Sequence, residues 1–345
     1  MRAPRVHFIC KQRNELYDPY NGGTYGLLNS AKFVANYLDK QGVETKVEQA
    51  VDSNQIDRLV TEYDPTHVMI EAIWVTGDKL VELLRMRRHQ ARTWVIRLHS
   101  KIPFIANEGV AFERLNQYHD VAKQYPQLMI APNSEEFTND LKDVLAIHTH
   151  YLPNIYCPPE YEYGKIHKRR KVLNIGCFGA IRPMKNQLIQ AVAAIKYADN
   201  CGEKMMFHIN GSRKEQRGDQ VFKNLESLFA AQRDHLLVLH DWLPHCQFVQ
   251  LVKQMDIGLQ VSYTESFNII AADFVHNGVP IITSSQIDWM PSTFQTDPNS
   301  SEGICKALAF TQSYVGKALR FWCNHNLKKW NDMAANRWVD FIRDH

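Results

Sequence analysis

The 345-residue chain has no Cys-x-x-Cys pair, and its seven cysteines, at 10, 157, 177, 201, 246, 305 and 323, are scattered and odd in number. That pattern argues against a cysteine-based zinc site and for a reducing compartment, so a cytoplasmic setting is expected. No long apolar run occurs: the longest, such as 192–195 and 236–239, are far too short for a membrane span. No signal-peptide pattern opens the chain, since Met1-Arg-Ala-Pro4 leads straight into a strand-like stretch. A strong charge of one sign is also missing. The net charge of +3 is too mild to demand a nucleic-acid partner, and 45% apolar with 22% charged residues describes an ordinary globular chain.

What is present is alternation. Strand-like runs at 6–10, 44–47, 67–72, 93–98 and 128–131 are interleaved with helical spacing at 25–40, 56–63 and 77–90. Strands alternating with helices of this length favour a parallel, doubly wound α/β sheet. The pattern lapses over 151–171, which carries Leu-Pro-Asn, Cys-Pro-Pro and a basic run, and it resumes at 172. Strands are then expected at 172–177, 205–210, 236–239, 257–261 and 280–283, with helices at 187–198, 220–231 and 244–254 and another carrying Asp273. This division predicts an N-terminal domain over 1–158, a linker over 159–171, a second domain over 172–318 and C-terminal helices over 319–345 crossing back to the first domain. At 345 residues two cores are expected, with a ligand cleft between the carboxyl ends of two sets of strands. Trp322, Trp330 and Trp338, eight apart, are expected to be buried packing rather than a ligand platform.

Two stretches carry chemistry. Residues 264–280 place Glu265 and Asp273 with seven residues between them, ahead of a Gly-Val-Pro stop. Eight positions is close to two helical turns, so both acids share a face, and the amides of Ser266, Phe267 and Asn268 fall at a helix N-terminus. Such a unit suits an anion next to a polyol. The second stretch, Gly179-Ala-Ile-Arg182-Pro-Met-Lys185-Asn, follows a strand and precedes a helix, where a diphosphate would be stabilised by two cations and the helix end.

Together these two stretches resemble the signature of retaining GT-B glycosyltransferases of the glycogen-synthase and sucrose-synthase-like group, often called family 4. The resemblance implies two Rossmann-like domains facing each other across a cleft, and transfer of a sugar from a nucleotide-diphosphate sugar to a hydroxyl with retention. It implies that Arg182 and Lys185 grip the donor diphosphate, that Glu265 holds sugar hydroxyls, that the Ser266–Asn268 amides meet phosphates, and that Asp273 binds the ribose diol. Gly179 would allow the tight turn, and the stretch at 239–248 would line the nucleobase with Trp242 and Leu243. In the first half, Gly22 and Gly23 before a helix resemble the family's N-terminal glycine loop, and His99 at a strand end resembles the histidine that contacts the transferred sugar. The Leu-Pro-Asn at 152–154 resembles the segment closing the first domain. The chain departs from the pattern in three places: Asp273 stands for the usual Glu, Asn268 for the usual Gly, and Arg182 and Lys185 are closer together than the common spacing.

The resemblance implies no cofactor, only a nucleotide-sugar co-substrate, with a UDP-sugar first among donors. No Asp-x-Asp occurs anywhere, which favours metal-independent neutralisation of the leaving group by Arg182, Lys185 and the helix end. His148 and His150, alternating with no third ligand in sight, read as structural. For the acceptor, a glycan or other polymer is the first expectation. The alternative is a phage-type enzyme acting on hydroxymethylated DNA bases in a host cytoplasm, to which the basic clusters at 85–92 and 165–171, Lys328-Lys329 and Arg13 would contribute. A second alternative is a GT-B protein that binds, hydrolyses or epimerises nucleotide sugars. No basic amphipathic helix suited to a bilayer is evident, and no integral membrane association is expected.

Overall fold

The computed structural model describes residues 3–12, 26–161 and 172–345. They form two compact units: residues 3–12, 26–159 and 330–345 make the first, and 160–161 with 172–329 the second. Gly22 and Gly23, Arg13 and the basic cluster at 165–171 lie outside the described residues.

The first unit is built on a parallel five-stranded sheet, as the alternation predicts. Its strands are β1 (Arg5–Lys11), β2 (Glu44–Ala50), β3 (His67–Glu71), β4 (Thr93–Leu98) and β5 (Leu128–Pro132), in the order β2-β1-β3-β4-β5. Connecting them are α1 (Gly26–Lys40), α2 (Gln55–Tyr63), α3 (Gly77–Arg85), the single turn α4 (Ile102–Ile105) and α5 (Ala111–Gln124); α6 (Glu135–Leu145) follows β5. The strands read as near-continuous apolar runs because both faces are covered: one by Leu80, Leu84, Leu115 and Tyr118, the other by Leu28, Val34, Leu38 and Trp338. The helix expected over 77–90 stops at Arg85, where Met86 turns extended (ψ 121°) before a short 3₁₀ turn. Helices α5 and α6 were not foreseen.

The second unit repeats the plan with β6 (Leu173–Gly176), β7 (Met205–Asn210), β8 (His235–His240), β9 (Ile257–Gln260) and β10 (Ile281–Thr283), all parallel, in the order β10-β9-β6-β7-β8. Its helices are α7 (Gln187–Cys201), α8 (Gly218–Ala230), α9 (His245–Val252), α10 (Ile269–His276), α11 (Ser301–Gln312) and α12 (Tyr314–Leu319). The long α13 (Phe321–Asp344) begins in the second unit and ends in the first.

The tryptophan stripe divides. Trp338 is fully buried with Nε1 donating to Pro153 O at 2.8 Å, and Trp330 donates to Asn154 O at 2.9 Å, but Trp322 is 45% exposed. Eight residues at about 100° each fall some 80° past two full turns, so three such positions cannot share one face.

Candidate functional site

Strand order points to the site in the second unit. Chain order reverses between β6 and β9, and in open parallel sheets ligands bind beyond the carboxyl ends of the strands at such a reversal. The loop after β6 carries Gly179, Arg182 and Lys185; the loop after β9 carries Glu265, Ser266 and Phe267. Helix α10 can approach this point closely because Gly176 and Gly258, on the two strands, leave room for Phe274. A Cβ at either glycine would meet a ring carbon at 2.6 Å, that of Phe178 or Phe274 respectively.

The two loops are laced together. Tyr263 donates its N–H to Met184 O at 2.9 Å, and Asn186, left-handed at φ 58°, donates Nδ2 to Val261 O at 3.0 Å and Pro298 O at 2.7 Å. Gln260 donates to Phe178 O at 2.8 Å and accepts from Asn268 Nδ2 at 2.8 Å. Asn268 is itself left-handed (φ 63°), a conformation Asn tolerates, and its Oδ1 caps α10 by accepting from Ala271 N–H at 2.8 Å. The residue standing for the usual glycine therefore supplies both the backbone angle and the cap. Gly179 sits at φ 114°, which favours glycine, with its N–H on Asn210 Oδ1 at 2.8 Å.

Inside this frame Lys185 Nζ donates to Glu265 Oε1, with side-chain exposures of only 10% and 9%. Burial pushes the Lys185 ammonium below its usual range, with Glu265 opposing that shift. Arg182 lies beside Glu215 at 3.3 Å, and Arg213 donates to the same carboxylate at 2.6 and 2.9 Å. Arg213 also stacks its guanidinium 4.4 Å over the ring of Trp242, and the Trp242 backbone N–H donates to Ser212 Oγ at 3.0 Å. Leu243, next in the chain, is half-buried, as is Ser266, whereas Phe267 is buried against Trp289. Arg213 and Glu215 were not singled out in the sequence; a charged pair just beyond a predicted strand end is the signal that marks them.

Asp273, expected on the ribose, lies on α10. It is 1% exposed, and His245 at the start of α9 donates Nε2–H to its Oδ1 at 2.8 Å. With Nε2 protonated, His245 Nδ1 accepts from the Tyr161 hydroxyl at 2.9 Å. The carboxylate thus belongs to a Tyr161–His245–Asp273 chain tying α9 to α10. His245 lies within the stretch expected at the nucleobase but carried no individual role.

In the first unit, His99 follows β4 and donates Nε2–H to Glu71, the last residue of β3. Glu71 is fully buried and also accepts from Arg97 Nη1 at 3.1 Å. Arg97, equally buried, continues to Asn154 Oδ1 and Leu152 O and lies 5.0 Å from the Trp338 ring. Burial favours the neutral form of Glu71, yet Arg97 and His99 outweigh it and lower its pKa. Burial lowers His99 despite Glu71. The charge therefore resides on Glu71 and Arg97, and His99 is a neutral imidazole at neutral pH, its Nδ1 facing Asn133 Nδ2 at 3.4 Å. Glu71 and Arg97 were missed as site residues, although charges closing otherwise apolar strands are legible in the sequence.

Two of the four arginines of the first basic cluster are ion-paired within their own unit. Arg88 pairs with Asp57 at 2.5 Å, Arg92 with Asp64 at 2.9 Å, and Arg85 donates to Tyr125 Oη at 2.8 Å. His148 and His150 stack edge to face at 5.1 Å, and among the described residues no cluster of three or more His, Cys, Asp or Glu side chains suits a metal ion.

No protein-family model and no curated protein sequence matches the chain. Solved structures do. A sucrose-phosphate synthase from Thermosynechococcus elongatus matches over 99% of this chain and 98% of its own, with TM-score 0.67 and 12% identity. A trehalose-6-phosphate structure from E. coli bound with UDP-2-fluoro glucose matches over 99% and 97%, with TM-score 0.61 and 12% identity. The N-terminal domain of Candida albicans trehalose-6-phosphate phosphatase matches over 100% and 97%, with TM-score 0.64 and 10% identity. The shared feature at these identities is the fold, GT-B, rather than family 4 in particular. Because that fold also serves as a domain of a phosphatase, activity has to be argued from the site.

Proposed function

We propose that the protein is a glycosyltransferase that moves a sugar from a nucleotide-diphosphate sugar, a UDP-sugar first, to a hydroxyl acceptor with retention of anomeric configuration. The observation that carries this reading is the Lys185–Glu265 pair at the β6/β9 reversal of a GT-B fold. A cation and a carboxylate held side by side match a donor that is anionic at the diphosphate and hydroxylic at the sugar. A structural relative bound with UDP-2-fluoro glucose supports UDP as the first nucleotide to test.

In this reading Arg182 and Lys185 neutralise charge developing on the leaving diphosphate, aided by the N-terminal end of α10, and no protein nucleophile is required. The absence of Asp-x-Asp from the sequence supports transfer without a metal ion. Glu265 accepts hydrogen bonds from sugar hydroxyls once donor phosphate engages Lys185. Asp273 acts through His245, which it orients. On the first unit, His99, neutral and 12% exposed, offers its imidazole to the sugar while Glu71 fixes the ring.

For the acceptor, the structural relatives include a sucrose-phosphate synthase, which makes a phosphorylated sugar the first class to test. Duplex DNA loses the support of two arginines of the first basic cluster, Arg88 and Arg92, which pair with Asp57 and Asp64. The test is to incubate the protein with UDP-sugars and follow UDP release with and without monosaccharides, sugar phosphates and hydroxymethylated DNA. Slow donor hydrolysis stimulated by one acceptor class is expected. Failure to bind any nucleoside diphosphate would sink the transferase reading.

A further inference from the structure

Among the described residues, six large apolar side chains of the second unit are exposed, and four of them open the successive helices α12 and α13. Tyr314 and Val315 open α12 at 89% and 55% exposure; Phe321 and Trp322 open α13 at 58% and 45%. The corner is ordered. Ser313 Oγ accepts from Gly316 N–H at 3.1 Å and donates to Phe310 O at 2.6 Å, while Arg320 Nη2 donates to Thr311 O at 3.2 Å. A Cβ at Gly316 would fall 2.1 Å from Phe310 O, so α12 packs tightly on the end of α11 and holds its apolar side chains outward.

Charge along this stretch of sequence is of one sign. Residues 303–331 contain Lys306, Lys317, Arg320, Lys328 and Lys329 and no Asp or Glu. On α13, Phe321, Trp322, His325, Lys328 and Lys329 fall within an arc of about 120°. The first acid on that face is Asp332, one turn beyond Lys328. The Phe321 and Trp322 rings lie 4.8 Å apart, and Trp322 meets His325 at 5.3 Å.

We infer that this α12–α13 corner docks the protein peripherally on an anionic lipid bilayer. Aromatic side chains that keep one edge polar suit the headgroup boundary, and lysines flanking them reach lipid phosphates while their stems lie on the apolar layer. A second copy of the chain would set like charges against each other. Nucleic acid would leave the aliphatic Val315 without a suitable contact.

Co-sedimentation of the full chain with phosphatidylcholine vesicles, with and without phosphatidylglycerol, tests this. Binding is expected with phosphatidylglycerol and not without it, weakened by about tenfold or more in Phe321→Ser with Trp322→Ser, and likewise in Lys328→Glu with Lys329→Glu. Circular dichroism checks that each variant is folded. The inference is overturned by no binding to the anionic vesicles or by equal binding of the variants. It is equally overturned by a concentration-dependent dimer that the serine variant dissolves, or by duplex DNA binding that the glutamate variant loses while vesicle binding is unchanged.

Discussion

Lys185 and Glu265 are eighty positions apart in sequence, yet they form a nearly buried ion pair where β6 and β9 run side by side. Removing one partner leaves a charge without its counterpart at about a tenth of full exposure, which costs about 3 kcal/mol or more. Lys185→Ala is therefore expected to lower both urea stability and UDP-sugar turnover. Lys185→Met combined with Glu265→Gln removes both charges; it should recover most of the stability while turnover stays at least about 100-fold down. Turnover returning along with stability would reduce the pair to a structural role.

Asp273 and His245 call for a different experiment, because the carboxylate is 1% exposed and already engaged. Asp273→Asn keeps the shape and loses the charge that holds the His245 tautomer. A loss of about 1–2 kcal/mol in stability is expected, with a weaker affinity for UDP that His245→Ala reproduces. The preference for UDP over its 2′-deoxy analogue, measured by calorimetry, should survive Asp273→Asn to within a few-fold. Collapse of that preference would place the carboxylate on the ribose after all.

The parts of this molecule that were legible in sequence are those set by local pattern. Apolar strands alternating with amphipathic helices predicted both parallel sheets, and the Gly179–Lys185 and Glu265–Asp273 stretches marked the two loops that the fold brings together. Pairings over long separations were not legible. His245 meets Asp273 across 28 positions and Arg97 meets Asn154 across 57, and neither partner carries a local signal for the other. Helix α5 was passed over because its core face rests on four residues, Ala111, Leu115, Tyr118 and Val121, within a mostly polar run. The tryptophans misled for a geometric reason: a spacing of eight drifts around the helix, so Trp322 emerges at the surface while Trp338 is buried.

Buried histidines set an acid limit on stability. Burial holds His67 and His208 down at about 4 from 6.5, with neighbouring His345 and His240 adding to it. Both are neutral in the fold and take up protons more readily unfolded. Their stabilisation is complete above about pH 6.5 and is lost as pH falls toward 4, by roughly 2 kcal/mol each at pH 4.5. In His208, Nε2–H donates to Asn174 Oδ1 at 3.1 Å and Nδ1 accepts from His240 at 2.9 Å, an arrangement a second proton breaks. Urea midpoints between pH 7 and 4.5 should fall, and His208→Asn should flatten that slope. An unchanged slope would mean the imidazole is already charged in the fold.

The Glu71–Arg97–His99 group separates folding from turnover. Arg97 is fully buried and holds Glu71, Asn154 and Leu152 O together, so Arg97→Met leaves an ionised Glu71 with only a neutral imidazole for company. A loss of about 3–5 kcal/mol is expected by urea denaturation. His99 stands at the edge of the same group, and Glu71 retains Arg97 when it is removed. His99→Ala is expected to cost about 1 kcal/mol in stability. If the imidazole contacts the transferred sugar, kcat falls by about 100-fold or more with little change in UDP affinity, since the nucleotide site proposed above is on the second unit. A variant with normal kcat would assign His99 to the support of Glu71 alone. Weakened UDP binding with normal kcat would move its contact from the sugar to the nucleotide.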